Sequence, residues 1–235
     1  MIFPKTMPPA LVALSVAMST TATAEPLIYG FQAEQLEYRS LDGEDAFAWD
    51  FDAFVGSDEL KLVWRSKGEF GLTSDEFEGL ENQLRLQMPV SDFFDAVIGI
   101  QASTPDNGPD RFNGVLGIKG LAPQWFEIDA DLYLSDHPFF RVEADYEALL
   151  TNKLILTPSI EIDIPLKDDL AAGRRAGGPI LEIGARLSYD LIDRAVSPYI
   201  GVNYEKAYGG TADWRRASGE KTDAFSVVFG TRLMF

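Results

Sequence analysis

Apolar and polar residues alternate one for one through most of this chain. In the last stretch, Ala224–Phe235, the residues Phe235, Leu233, Thr231, Phe229, Val227 and Phe225 form one nearly apolar set, while Met234, Arg232, Gly230, Val228 and Ser226 form a mixed set that carries the charge. Successive side chains of a strand point to opposite faces, so this reads as a strand with one oily face. In Trp125–Leu134, Phe126, Ile128, Ala130, Leu132 and Leu134 oppose Glu127, Asp129 and Asp131. In Phe140–Ala148, Phe140, Val142, Ala144 and Tyr146 oppose Arg141, Glu143, Asp145 and Glu147. Leu154–Ile164 sets Leu154, Leu156, Ile160 and Ile162 against Glu161 and Asp163, and Ala46–Val55 sets Phe47, Trp49, Phe51 and Val55 against Asp50 and Asp52. None of these stretches has the 3.6-residue spacing of a helix. The same pattern predicts twelve strands: the five just named and Phe31–Arg39, Leu60–Glu69, Glu78–Met88, Phe93–Ala102, Arg111–Lys119, Ile180–Tyr189 and Val196–Tyr208.

The connections add a second rhythm. Those after even-numbered strands are short, as in Gly56–Glu59, Pro89–Asp92 and Leu149–Lys153. Those after odd-numbered strands are mostly longer: Phe70–Phe77, Ser103–Asp110, Pro165–Pro179 and Gly209–Asp223, with the tight turn Ser135–Phe139 as the exception. Short turns at one end, long loops at the other and an even strand count predict an all-β fold, an antiparallel transmembrane β-barrel of about 12 strands with both termini periplasmic. A soluble sandwich alternates too. Two features favour the barrel: polar faces that carry several charges of both signs, and aromatics that gather towards strand ends, among them Trp49, Trp64, Trp125, Phe126, Tyr146, Tyr189, Tyr199, Tyr204 and Phe235.

The N-terminus fits this placement. Lys5, the apolar run Ala10–Met18 and the small-residue exit Ala22-Thr23-Ala24 form a secretory signal over 1–24, with residues 25–235 as one barrel domain. The expected site is the outer membrane of a Gram-negative bacterium, in contact with its lipid. With 20 Lys and Arg against 37 Asp and Glu, the net charge is −17, which excludes nucleic acid as a partner and suits metal cations.

Facing inward, the pattern places Asp50, Asp52, Glu127, Asp129, Asp131, Glu143, Asp145, Glu147, Glu161 and Asp163 as candidate metal-binding carboxylates. Arg65, Arg85, Arg141 and Arg186 are their basic partners; taken with Lys61, Lys67, Lys119 and Arg232, the inward bases concentrate in strands three and four and near the end. An acidic wall therefore faces a more basic one. Such an interior can be a salt-bridged network that seals a narrow barrel, or a passage that attracts cations.

No enzyme is read. The single histidine, His137, lies in a turn without a paired nucleophile, and the cysteines needed for thiolate chemistry are absent. Soft copper ligands are scarce: after residue 24 only Met88 and Met234 remain.

Several ordered blocks resemble one family. They are Gln35-Leu36-Glu37-Tyr38-Arg39, Ala48-Trp49-Asp50-Phe51-Asp52, Leu60-Lys61-Leu62-Val63-Trp64-Arg65, Gly117-Ile118-Lys119-Gly120-Leu121-Ala122-Pro123-Gln124-Trp125, Glu143-Ala144-Asp145-Tyr146-Glu147 and Tyr208-Gly209-Gly210-Thr211-Ala212-Asp213. From Gln35 to Phe235 the chain is similar to the copper resistance protein B family of outer-membrane β-barrels. The resemblance implies a role in copper homeostasis, a copper ion as the bound species and periplasmic copper-handling proteins as partners. Family members often carry a Met- and His-rich segment before the barrel, but Glu25–Glu34 here holds neither residue. Any copper therefore falls to the lumen carboxylates, which bind it weakly. The alternative is a structural or adhesive porin-like barrel with no metal role.

Overall fold

The computed structural model describes residues 26–41, 44–192 and 194–235. The expected signal segment, 1–24, lies outside them. Thirteen strands follow one another: β1 Ile28–Leu41, β2 Asp45–Gly56, β3 Lys61–Gly71, β4 Glu76–Pro89, β5 Phe94–Ser103, β6 Arg111–Ala122, β7 Phe126–Leu134, β8 Phe139–Tyr146, β9 Ala148–Leu149, β10 Leu154–Pro165, β11 Ile180–Tyr189, β12 Val196–Ala207 and β13 Asp223–Met234. Strand β9 continues β8 past Glu147, so the two make one stave and the barrel has twelve. Every pairing is antiparallel between neighbours in sequence, and β13 returns to pair with β1, so no edge is left open among the described strands. Closure is what a lipid-embedded sheet needs, because hydrocarbon offers an unpaired backbone group no partner.

The alternation decides which face meets what. Outward positions keep large apolar side chains in the open: Trp64, Leu84, Leu86, Ile98, Ile100, Leu116, Ile118, Ile183, Ile200, Phe225 and Phe229 are all exposed. The inward residues of the same strands are buried and mostly polar, including Arg65, Arg85, Gln101, Asp131, Arg186, Asn203 and Ser226. The core is thus a polar filling inside a greasy shell, the reverse of a soluble domain. Tyr199 is a correction to the expected aromatic girdle. It shares its face with Ser197 and Asn203, so its ring enters the lumen and is only 8% exposed.

The turns at the end bearing the termini are short for a readable reason. In three of them a Ser or Thr oxygen accepts the amide three residues on: Ser57 from Leu60 (3.4 Å), Ser91 from Phe94 (3.0 Å) and Thr151 from Leu154 (2.9 Å). This device tightens a reversal. At the other end two expectations change. The connection after β3 shrinks to residues 72–75, because β3 and β4 run on as paired strands to Gly71 and Glu76. The segment expected as the loop Gly209–Asp223 folds into a helix, α1 Gly209–Ser218, which stops at Gly219 in the left-handed conformation (φ 79°).

One irregularity shapes the interior. Ala33 faces Phe51 across β1 and β2, yet Gln35 faces Asp50. Glu34 is the extra residue of a β-bulge, and the register on the β13 side also slips between Ala33 and Glu37. A bulge re-aims the side chain it inserts. Here it adds an acid to the lumen at the seam where the barrel closes.

Candidate functional site in the barrel lumen

Charged side chains from opposite staves meet in the middle of the barrel. Arg65 on β3 donates to Asp50 on β2 (3.0 Å), Asp129 on β7 (3.3 Å) and Glu143 on β8 (2.6 Å). Lys67, two residues on, pairs with Glu161 on β10, which stands halfway round the cylinder. Arg141 on β8 completes this tier, with Nε 2.6 Å from Asp163 and Nη1 2.9 Å from Glu81. The lumen is therefore bridged from wall to wall at its waist.

Beside this tier, Arg85 holds two acids. Its guanidinium donates to both oxygens of Asp129 (2.8 and 2.9 Å) and both of Asp131 (3.0 and 2.9 Å), with its side chain only 1% exposed. Gly117 makes room for this pair, since a Cβ there would stand 1.8 Å from Asp131 Oδ1. At the closing seam Glu37 is 0% exposed. It accepts two hydrogen bonds from Arg186 (2.9 Å each), one from Arg39 (2.8 Å) and one from the Tyr199 hydroxyl (2.9 Å). The Tyr199 ring lies over Gly230 of β13, whose missing side chain leaves the space it fills.

Below the waist, towards the termini, a cavity of about 370 Å³ is lined by Glu34, Asp50, Asp52, Arg65, Lys119, Glu127, Asp129, Glu143 and Asp145. Lys119 reaches Asp52 (3.3 Å), and Arg232, further round, pairs with Glu147. Among the described residues, Glu34, Glu127 and Asp145 make no ion pair; Glu34 accepts only from the Gln32 amide (3.1 Å). Above the waist, a vestibule of about 490 Å³ holds Glu69, Glu78, Glu182 and Glu205 with Arg39 and Arg215.

The long-loop end is roofed by α1 and the loop 166–179. The Thr211 hydroxyl accepts from the Arg175 amide (3.0 Å) and donates to Gly178 O (2.6 Å). Arg215 reaches down to Glu205 (2.8 Å). The Arg111 guanidinium binds both oxygens of Asp169 (2.8 Å each) and holds that loop carboxyl below the usual carboxylate range. The His137 Nδ1 sits 2.8 Å from Asp168 O, beside the roof.

All ten sequence-predicted carboxylates face the lumen, but the structure sorts them. Asp50, Asp52, Asp129, Asp131, Glu143, Glu147, Glu161 and Asp163 are each within 4.0 Å of a Lys or Arg nitrogen, whereas Glu127 and Asp145 have no such neighbour among the described residues. The four basic partners, Arg65, Arg85, Arg141 and Arg186, are all buried and paired. Among the described residues, no three His, Cys, Asp or Glu side chains stand in a metal-holding group. The donors here are oxygens, which suit divalent cations better than Cu(I). The strand pattern passes over Glu34, Glu37 and Arg39. The alternation Gln35, Glu37, Arg39 is a usable sign for the last two, and the slip of phase between Phe31 and Leu36 is the sign of the bulge.

Comparison with known proteins gives a consistent set of matches. The family model described as "Copper resistance protein B precursor (CopB)" matches residues 27–235. The chain is 33% identical over 207 residues to a "Copper resistance protein B homolog" of Pseudomonas syringae pv. tomato, covering 87% of this chain and 69% of that one. It is 34% identical over 205 residues to a "Copper resistance protein B" of Escherichia coli, covering 86% and 68%. Among solved structures, the NanC porin matches with TM-score 0.55 and 13% identity, covering 88% of this chain and 99% of that one. The KdgM porin matches with TM-score 0.52 and 12% identity, covering 88% and 99%. These two likenesses concern the fold alone.

Proposed function

Because this chain belongs to the copper resistance protein B family and folds as a twelve-stave outer-membrane β-barrel, we propose that it contributes to copper tolerance by taking up divalent copper, as cargo, in the cavity at the end bearing the termini. In this reading that end faces the periplasm, where it would meet copper-handling proteins. The single observation that carries the reading is the set Glu34, Glu127 and Asp145: inward acids around one cavity, without the Lys or Arg partners that occupy most other acids of the described lumen.

Carboxylate oxygens favour hard or borderline divalent ions, and hold them weakly when the ligand set is not a closed cage. Lys119 is held by Asp52 (3.3 Å) and Asp129 (4.0 Å), and among the described residues no Lys or Arg nitrogen comes within 4.0 Å of Glu34, Glu127 or Asp145. Nothing in this reading requires catalysis. The second reading, a sealed structural barrel, draws on the waist network, and the two differ in what they expect of the free acids.

The test is calorimetric titration of the detergent-refolded barrel with Cu(II). The triple change Glu34→Gln, Glu127→Gln and Asp145→Asn should weaken binding at least about tenfold, equivalent to about 1.4 kcal/mol. Copper binding unaltered by all three changes sinks the proposal and leaves the sealed barrel.

A further inference from the structure

The waist network raises a question of passage. Arg65 stands between two adjoining cavities, the one beside Lys119 and Glu127 and a smaller one beside Arg186 and Glu161, and it lines both, as do Glu34, Asp50, Glu143 and Asp145; Lys67 in turn lines the smaller one and the vestibule above. Its guanidinium contacts acids from three other staves, Asp50, Asp129 and Glu143, with Asp52 at 3.9 Å. Lys67 is the next inward residue of the same strand and pairs straight across the lumen with Glu161. A cation crossing the barrel therefore meets a fixed positive group seated on the very carboxylates it would use.

We propose that Arg65 is the residue that closes the lumen and sets its ion preference, acting as a tethered counter-ion. With the guanidinium in place, Asp50, Asp129 and Glu143 are each ion-paired and the path is blocked in both space and charge. A mobile cation passes by competing for those acids while the arginine side chain swings aside. No bond is made or broken. Arginine suits this role because its planar fork satisfies several carboxylate oxygens at once and stays charged at any relevant pH. Lys67 forms a second, weaker tier, since an ammonium is a single point of charge on a flexible stem. The inference extends the proposed cation uptake in the lower cavity to passage through the lumen, and it does not depend on the metal being copper.

The test is ion conductance of the full-length barrel in planar bilayers, in potassium chloride without copper. The wild type should conduct poorly. Arg65→Gln should raise single-channel conductance at least threefold and shift the reversal potential, under a salt gradient, towards potassium. Arg65→Lys should stay nearer the wild type. The double change Arg65→Gln with Asp50→Asn guards against misfolding from unpaired acids. It should remain open while losing part of the cation preference, which separates steric closure from charge. Folding of each variant is checked by heat-modifiable migration on gels. Wild-type conductance and reversal potential in both the single and the double variant, each shown to be folded, would overturn the proposal. Because no copper is present, that failure is distinct from failure of the copper-binding titration.

Discussion

The waist and the cavity beneath it are made of the same residue types and behave as opposites. At the waist nearly every charge has a fixed partner: Arg85 pairs with both Asp129 and Asp131, and Glu37 with both Arg39 and Arg186. Below it, Glu34, Glu127 and Asp145 share a cavity with few cations. Removing one member of a buried pair leaves an uncompensated charge, so the matched region is costly to disturb. An acid with no partner loses little when neutralised. Acidity alone therefore does not mark a binding site in a polar lumen; a carboxylate is available to a mobile ion only where the protein has not already claimed it.

Breaking the matched region gives the largest effect. Arg85→Ala should cost about 3–5 kcal/mol, because Asp131 would stay buried beside Asp129 without its guanidinium, while Asp129 would keep Arg65. Urea unfolding in lipid vesicles, followed by tryptophan fluorescence, measures it. A loss under about 1 kcal/mol would mean that water enters the waist freely and that the contrast is false. Next comes Gly230→Ala at the seam. A Cβ there would lie 2.6 Å from the Tyr199 ring, and overpacking of this kind costs about 1–3 kcal/mol. The same urea titration reads it, and Tyr199→Phe in that background should not relieve the clash.

Smaller effects sharpen the comparison from the other side. Glu34→Gln with Asp145→Asn should change stability by less than about 1 kcal/mol, since no ion pair is lost among the described residues. A large destabilisation would show the cavity acids to be structural after all. The smallest effect belongs to the roof. Asp169 is held below the ordinary carboxylate range by Arg111. A lowered folded value means the contribution is full above the unfolded value of about 3.9 and fades as pH falls through the folded one. Proteolysis within 166–179 should therefore be unchanged from pH 7 to about 5 and rise only in stronger acid. Arg111→Gln should bring the faster cleavage to neutral pH. A rise already complete by pH 5 would assign the loop's hold to another group.

Much of this is legible along the chain. Lipid enforces the outward positions, so Leu84, Leu86, Ile98 and Ile100 announce their strands by composition, and the inward acids follow by elimination. Ser57, Ser91 and Thr151 likewise mark their turns. What the pattern does not carry is who meets whom across the lumen. Arg65 and Glu143 are 78 residues apart, and Lys67 and Glu161 are 94 apart; only closure of the cylinder brings them together. The bulge hides Glu34, because one inserted residue restarts the alternation out of phase. Helix α1 escapes the pattern because its Gly209-Gly210 opening reads as loop, while Thr211 and Trp214 fold against the neighbouring loop through contacts 33–41 residues distant in sequence. Residue type alone sends Tyr199 to the girdle, although its inward neighbours Ser197 and Asn203 give its direction.

The position of Glu37 bears on how such a chain is assembled. Its partners Arg186 and Tyr199 lie 149 and 162 residues further on, and β1 meets β13 only when the last stave arrives. An open, half-inserted sheet would carry Arg186 without its acid and leave Glu37 only Arg39 of its own strand. Charge balance and ring closure are reached in one event, so a truncated or stalled chain has no comfortable halfway state in which to accumulate.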